Sequence, residues 1–167
     1  STLHTNNTIG VIPRLIDMGV EKYLIAPSLN LAIAQRLLRK LCTACRVKTA
    51  ITQSEKDLIV QAVKKIPKDA VKDLPAQIAE LYKAGPGCQE CKGKAYKGRI
   101  AIIEALAMTD ELERIILTDI SEEKLRQEAL RQGMLTMFQD GIIKVLRGIT
   151  SLEELLQVAQ EADADDV

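Results

Sequence analysis

Four cysteines in two close pairs are the residues best suited to chemistry in this sequence. Each pair has the spacing Cys-x-x-Cys, with Cys42 and Cys45 in the first pair and Cys88 and Cys91 in the second. Such a loop directs two thiolates at one ion, and two loops complete a tetrahedral shell that leaves no position for water. The pattern therefore predicts a structural Zn²⁺ site and not a catalytic one.

Two other uses of the cysteine pairs are less favoured. A redox-active pair of the thioredoxin type is expected alone at the start of a helix, whereas here a second pair follows a Gly-Pro-Gly turn. A stand-alone zinc module that binds nucleic acid would explain the basic residues beside both pairs. However, 23 Lys and Arg balance 23 Asp and Glu, and the aromatic residues are three Tyr and one Phe. Nucleic-acid binding needs a basic field and stacking platforms, so no nucleic-acid partner is predicted.

His4 is the only histidine, and it is the second candidate functional residue. It lies at the end of a predicted strand over residues 1–5, among polar side chains that include Thr5 and Asn6. Open α/β sheets place their ligand-contacting groups at the ends of strands. His4 is therefore a candidate for ligand contact, and the alternative is a lone histidine without a chemical role.

The segment between His4 and the first cysteine pair contains two apolar patterns. Apolar residues at helical spacing within residues 8–18 predict a helix that ends at Gly19. Residues 23–34 are apolar on nearly every side, which fits a buried strand and a buried helix equally well.

A polar, lysine-rich insert over residues 46–84 separates the two cysteine pairs. It is predicted to contain one helix that starts near Ser54 and stops at Pro67, and a second that runs from Pro75 through Leu81. The metal would hold the two ends of this insert side by side.

After the second cysteine pair the pattern is a strand followed by helices. Residues 100–106 predict a strand, and Thr109 and Ser121 are placed to cap the next two helices. Ser151 and Glu154 have the spacing of a capping box for the final helix, which leads into an acidic tail.

The sequence also bears on location. It contains no apolar run of about 18 residues that could span a bilayer, and its start does not resemble a signal peptide. Paired cysteines without a secretory signal indicate metal binding in a reducing compartment, so a cytoplasmic location is expected. The chain opens on a strand pattern without Met, and we expect it to be part of a longer protein.

Several motifs together resemble a family of motor proteins, the hexameric secretion ATPases. In the first third these are Ser1-Thr2-Leu3-His4-Thr5-Asn6, Arg14-Leu15-Ile16-Asp17-Met18-Gly19-Val20, and Ala34-Gln35-Arg36-Leu37 before the first cysteine pair. The later motifs are the second cysteine pair, Gly98-Arg99, Glu104 and Gly148-Ile149-Thr150-Ser151-Leu152-Glu153-Glu154. From Ser1 to about Gln160, their order resembles the C-terminal portion of the ATPases that drive type II secretion and type IV pilus assembly.

The resemblance implies an α/β, α-rich fold divided into four segments. The first would be the C-terminal part of a RecA-like core, the second a zinc-binding subdomain with a helical insert, the third a C-terminal helical domain and the last a disordered acidic tail. The implied boundaries are 1–41, 42–97, 98–161 and 162–167.

The resemblance also implies a function. His4 would be the histidine of the histidine box, near the γ-phosphate of bound ATP, and the cysteine pairs are typical of the secretion and pilus-extension branches. The parent protein would be a cytoplasmic homohexamer that binds ATP and Mg²⁺ and docks on an inner-membrane platform protein, reaching the membrane only through its partners. This chain departs from the family in having no Gly-x-x-x-x-Gly-Lys-[Ser/Thr] phosphate loop. We therefore expect the isolated chain not to hydrolyse ATP.

Overall fold

The computed structural model describes residues 3, 5–74 and 78–164. Within these residues the protein is mixed α/β, with seven α-helices, four strands and two short 3-10 helices. The α-helices are α1 Val11–Asp17, α2 Lys22–Ser28, α3 Gln53–Lys64, α4 Asp110–Thr118, α5 Glu122–Arg131, α6 Met137–Leu146 and α7 Leu152–Ala164. The strands are β1 Leu31–Leu41, β2 Val47–Ala50, β3 Glu80–Lys83 and β4 Tyr96–Ala107, and the 3-10 helices are Lys68–Val71 and Gln89–Cys91.

The chain packs as two compact units. The first unit contains the described residues up to Gln35 together with Ile103–Thr136, and the second contains Arg36–Ile102 together with the described residues from Met137 onward. Strand β1 pairs with β4 and strand β2 with β3, each pair forming a two-stranded sheet. The division between the units falls within β1 and β4. The four functional segments inferred from the family resemblance remain a prediction.

The first unit is organised around an apolar core from α1, α2, α4, α5 and the adjoining strand segments. Its buried members are Ile9, Ile12, Ile25, Ala32, Leu106, Leu112, Ile115, Ile116, Leu125 and Ala129. The predicted caps are confirmed: the Thr109 hydroxyl accepts the Leu112 N–H at 3.1 Å, and Ser121 accepts the Lys124 N–H at 3.3 Å. These caps satisfy backbone donors at the starts of α4 and α5, which both turn an apolar face to the core.

The predicted stop of the first helix is also confirmed. Gly19 follows α1 with a positive φ of 85°, and its N–H donates to the Ile16 carbonyl at 2.8 Å. The next N–H, from Val20, returns to the Leu15 carbonyl at 3.0 Å. This left-handed C-terminal turn is the common glycine ending of a helix.

Residues 23–34, which fitted a strand and a helix equally well, contain parts of both. Helix α2 ends at Ser28, where the Leu29 N–H makes a last bond to the Ile25 carbonyl at 2.9 Å. Pro27 lies in the last turn of α2 and cannot donate a backbone hydrogen bond, which favours an end there. Strand β1 begins three residues later, at Leu31.

The second unit has its own core, from β1, α3, β3, β4, α6 and α7. Its buried members are Leu38, Ile59, Ala62, Leu81, Ile102, Ile142, Val145, Leu152 and Leu155. Strands β2 and β3 pair antiparallel, with Val47 opposite Lys83 and Ala50 opposite Glu80. The two ends of the insert therefore lie side by side, as predicted.

Two predictions inside the insert are wrong in detail. Helix α3 begins two residues earlier than expected, because Thr52 and Glu55 form the capping box in place of the predicted start near Ser54. The predicted helix through Leu81 is not formed, since Leu81 lies in β3 opposite Thr49 and is buried. The backbone of this segment makes its hydrogen bonds by pairing with β2, a strand that is distant in sequence. Leu81 therefore buries its apolar side chain from a strand and not from a helix. Residues 75–77 of that predicted helix lie outside the described residues.

The final helix starts at the predicted position, but the side chains at its start make different hydrogen bonds from those of a capping box. The Ser151 hydroxyl accepts the Glu154 N–H at 3.2 Å, which is half of a capping box. The Glu154 carboxylate bonds to Arg39 in place of closing the box. Helix α7 extends to Ala164, and residues 165–167 lie outside the described part of the chain.

Candidate metal centre

The four cysteine sulfurs come together at one point, as the spacing predicted. The Sγ atoms of Cys42 and Cys88 are 3.7 Å apart, those of Cys45 and Cys91 are 3.9 Å apart, and those of Cys88 and Cys91 are 3.7 Å apart. All four lie within 4.8 Å of one another, and all four are free thiols. A disulfide would require sulfurs about 2.05 Å apart, so this cluster is not a pair of cross-links.

The spacing of the sulfurs fits a zinc ion. A tetrahedron with Zn–S bonds of about 2.3 Å has sulfur–sulfur edges of about 3.8 Å, and the three edges given above lie within 0.1 Å of that length. Among the common biological cations, zinc is one of those that soft thiolate ligands bind in preference to Mg²⁺ and Ca²⁺. The four cysteines can therefore hold one Zn²⁺ with a closed shell of sulfur, which suits a structural metal.

Each cysteine pair forms a tight turn stabilised by backbone hydrogen bonds. In the first, the Cys42 carbonyl accepts the N–H of Cys45 at 3.2 Å and that of Arg46 at 2.9 Å. In the second, the Cys88 carbonyl accepts the Gly93 N–H at 3.0 Å. Because these bonds are local, the Cys-x-x-Cys spacing alone is enough to direct both thiols of a pair to one side.

The Gly-Pro-Gly turn lets the second cysteine pair approach the first. A Cβ atom on Gly85 would lie 1.7 Å from the Cys45 carbonyl oxygen. A Cβ on Gly87, whose φ is 90°, would lie 2.5 Å from the Gly93 carbonyl oxygen. No side chain fits at either distance, so both glycines are required by close backbone contact.

The thiols differ in their acidity. The backbone N–H of Cys88 donates to the Cys91 sulfur at 3.1 Å and lowers the pKa of Cys91 to about 6. Desolvation, followed by hydrogen bonds with the neighbouring thiols, raises the pKa of Cys45 to about 12. Several thiolates this close would repel one another, so all four can ionise together only around a cation. This charge arrangement favours metal binding.

Arg46, directly after the first cysteine pair, connects the centre to the rest of the second unit. Its guanidinium lies over the Tyr82 ring, 4.0 Å from the centroid, and donates to the Gly148 carbonyl. A backbone hydrogen bond joins the same two segments: the Leu41 N–H donates to the Ile149 carbonyl at 2.8 Å. The loop between α6 and α7 thus supports the first cysteine turn.

The Gly148–Glu154 motif supports Arg39 in the same way. The Glu154 carboxylate accepts the Arg39 backbone N–H at 2.9 Å and its Nε–H at 2.8 Å, while the Thr150 hydroxyl donates to the Arg39 carbonyl at 2.9 Å. The Arg39 guanidinium also lies 4.4 Å from the centroid of the Tyr96 ring. Arg39 and Arg46 are therefore already engaged within the protein. This weakens the alternative in which the basic residues near the cysteines bind nucleic acid.

His4 lies outside the described residues, so its predicted role remains a prediction. The structure does describe the segment that follows it, from Thr5 to the start of α1. The sequence placed Glu154 in a capping box and Glu104 in a motif, and it placed Arg39 and Arg46 among the basic residues near the cysteines. It did not indicate the hydrogen-bond partners of these four residues, because those partners lie far away along the chain.

Among the described residues no helix is long and apolar enough to span a membrane.

Comparison with known proteins agrees with the resemblance. The family described as type II/IV secretion system protein matches residues 1–157. A type IV pilus assembly ATPase PilB of Myxococcus xanthus is 39% identical over 93% of this chain, which corresponds to 26% of that protein. A type II secretion system protein E of Xanthomonas campestris is 38% identical over 97% of this chain and 27% of its own length. A type II secretion system ATPase E of Vibrio cholerae is 37% identical over 97% of this chain and 29% of its own length. The chain thus spans about a quarter of the length of these relatives.

Proposed function

Because this chain belongs to the type II/IV secretion system protein family, we propose that it is part of a motor ATPase that powers type IV pilus assembly or type II protein secretion. The observation that carries this proposal is the family match over residues 1–157, which covers nearly the whole chain. The relatives are named as a pilus assembly ATPase and as type II secretion system proteins.

Within this motor, residues 1–41 would complete a RecA-like core and His4 would lie beside the γ-phosphate of ATP. The imidazole can donate a hydrogen bond to a phosphate oxygen that leaves on hydrolysis, so it can report whether ATP or ADP is bound. The complete protein would work as a cytoplasmic homohexamer on an inner-membrane platform protein. ATP and Mg²⁺ would bind mainly through residues that this chain does not contain, since it has no phosphate loop.

The metal centre has a structural role in this proposal. Cys42, Cys45, Cys88 and Cys91 would hold Zn²⁺, which supplies the positive charge that stabilises four neighbouring thiolates. The bound metal would secure the ends of the insert, whose strands β2 and β3 are already paired. No catalytic step passes through a closed four-sulfur shell.

The proposal is tested by ATP hydrolysis in the complete protein and in its His4→Ala variant. Wild-type protein should hydrolyse ATP, and His4→Ala should lower kcat about 100-fold, the contribution of one positioned polar group. Nucleotide affinity should change much less, and zinc content and ring assembly should not change. The isolated 167-residue chain, assayed in parallel, should show no turnover.

Two results would contradict this proposal. A complete wild-type protein without ATPase activity would exclude the motor function. A His4→Ala variant with near-normal turnover would leave the family membership intact and remove the proposed role of His4.

A further inference from the structure

Ala95 lies between the second cysteine pair and β4, and its backbone has an unusual conformation. Its φ is 61°, in the left-handed region, where residues other than glycine are uncommon. The close approach of Cβ to a carbonyl oxygen makes this conformation costly for an alanine. Ala95 is also buried, with 7% of its surface exposed. The surrounding structure must therefore hold it in place, and residues held in this way cluster at functional sites.

Both backbone groups of Ala95 are used at the cysteine cluster. Its N–H bonds to the Cys91 sulfur, and its carbonyl accepts the Cys42 N–H at 2.9 Å. Cys91 belongs to the second cysteine pair and Cys42 to the first, so one residue connects the two turns through its backbone. The φ and ψ angles set the direction of the carbonyl relative to the N–H. The left-handed conformation is thus what allows Ala95 to reach both turns.

The other backbone bonds around the second pair shape its own loop. The Cys88 N–H donates to the Cys91 sulfur at 3.1 Å. The Cys88 carbonyl accepts the Gly93 N–H at 3.0 Å, and the Cys91 carbonyl accepts the Lys94 N–H at 3.1 Å. These bonds fix the form of one turn, whereas those of Ala95 join that turn to the first.

We propose that Ala95 is a positioning residue of the metal centre: its left-handed backbone holds the Cys91 sulfur and the first cysteine turn in place for one shared ion. This inference rests on the proposed function, because it assumes that the four cysteines bind Zn²⁺. Groups that hydrogen-bond to metal ligands orient them and tune their charge, and losing one typically lowers metal affinity about 10- to 100-fold. Ala95 would act through its backbone alone.

The test removes the Ala95 N–H and leaves the side chain in place. Lactic acid incorporated at position 95 replaces the peptide bond between Lys94 and Ala95 with an ester, which keeps the methyl group and the carbonyl of residue 95. Zn²⁺ affinity of the 167-residue chain would be measured by competition with a chromophoric chelator. We expect it to fall about 10-fold, the lower end of the range for such groups. An unchanged affinity would overturn the inference.

Lys92 provides the matched control in the same loop. It is also left-handed, with a φ of 52°, but its N–H donates to the Gln89 carbonyl at 3.1 Å. Lactic acid at position 92 would be compared with the Lys92→Ala chain, from which it differs only by the ester. Zn²⁺ affinity should differ by less than about 2-fold between these two, because the lost N–H is directed at a carbonyl and not at a metal ligand. Equal losses at positions 92 and 95 would show that Ala95 only stabilises the loop.

A spectroscopic measurement needs no variant and remains decisive if the ester at position 95 folds poorly. In the chain loaded with an NMR-active cadmium isotope in place of zinc, an amide proton bonded to a ligand sulfur shows scalar coupling to the metal. We expect this coupling at the amide protons of Cys88 and Ala95 and not at that of Lys92. Coupling at Cys88 without coupling at Ala95 would contradict the proposed contact.

Ala95→Gly separates the backbone from the buried methyl group. Glycine adopts a positive φ without steric cost and keeps both the N–H and the carbonyl, so Ala95→Gly should bind Zn²⁺ within about 2-fold of wild type. A 10-fold loss in this variant would assign the effect to packing of the methyl group and would overturn the inference. A wild-type chain that binds neither zinc nor cadmium would instead overturn the proposed metal centre, so the two failures are distinguishable.

Discussion

Glu128 offers a quantitative test of how the first unit is stabilised. Its side chain is only 1% exposed, and Arg131 donates to it through Nε at 2.6 Å and through Nη2 at 2.8 Å. The Thr109 hydroxyl donates at 2.7 Å and the Gln132 amide at 3.0 Å. The hydrogen bonds from Arg131, with those from Thr109 and Gln132, lower the pKa of Glu128 to about 2 despite its burial.

The size of this pKa change sets the size of the prediction. A pKa lowered from the ordinary 4.5 to about 2 in the folded state corresponds to about 3 kcal/mol at pH 7, since each pKa unit is worth about 1.4 kcal/mol. The contribution is present above pH 4.5 and is lost as the pH falls towards 2, because the unfolded chain binds the proton first. At pH 3 roughly half of this contribution should remain. The Arg131 side chain is 62% exposed, so water screens the ion pair and about 3 kcal/mol is an upper value.

The perturbation is Glu128→Gln in the 167-residue chain. The free energy of unfolding would be measured by urea titration at pH 7 and pH 3. Unfolding of the first unit would be followed by the extent of oxidation of Met108 and Met134, which pack in that unit, after a brief exposure to oxidant at each urea concentration. Wild type should exceed the variant by about 2–3 kcal/mol at pH 7 and by about half of that at pH 3. Comparing the two proteins at each pH cancels any effect of metal loss, which both share.

The control is Glu122→Gln on the same helix. Glu122 is paired with Arg126 on the surface, with side chains 71% and 53% exposed, so its loss should cost less than about 0.5 kcal/mol at both pH values. If the free energies of unfolding of wild type and Glu128→Gln differ by the same amount at pH 7 and at pH 3, the prediction is wrong. Glu128 would then stabilise the unit by packing and not by its charge.

Two further predictions concern the second unit. The purified chain should contain about one zinc, with sulfur ligands at about 2.3 Å by X-ray absorption; Cys88→Ser should lose that metal and increase amide exchange in β2 and β3 more than in α4 and α5. Absence of stoichiometric zinc from the wild-type chain would exclude the proposed centre. Glu154→Gln should destabilise the second unit by about 1–2 kcal/mol, because it weakens a charged acceptor of the Arg39 backbone while Arg39 remains 53% exposed to water. An unchanged free energy of unfolding would show that this motif does not hold β1.

Local features of the fold could be predicted from the sequence because the groups involved are close along the chain. Thr109 and Ser121 cap helices by bonding to a backbone N–H three residues away, and Gly19 ends α1 within one turn. The Cys-x-x-Cys turns are equally local, and zinc chemistry then requires that two such turns meet. The prediction for His4 is untested, since that residue lies outside the described part of the chain.

Features that depend on distant partners could not be predicted in the same way. Leu81 had the apolar pattern of a helix and lies in a strand because β2, more than thirty residues earlier, offers it hydrogen-bonding partners. Glu154 had the spacing of a capping box, but its carboxylate bonds to Arg39, 115 positions away. In both cases the local preference is worth about 1 kcal/mol or less, and a buried long-range contact outweighs it.

The sequence by itself determined the cysteine cluster, the caps of α4 and α5 and the family, because each is encoded in residue types at short spacing or in the order of motifs. Only the tertiary structure decided which buried carboxylates hold which segments, as Glu104 holds Thr8 across 96 positions. A buried charge must find its donors wherever the fold brings them, since leaving it without hydrogen bonds costs more than any local preference supplies. The partner of such a residue is therefore a property of the folded chain and not of its neighbours in sequence.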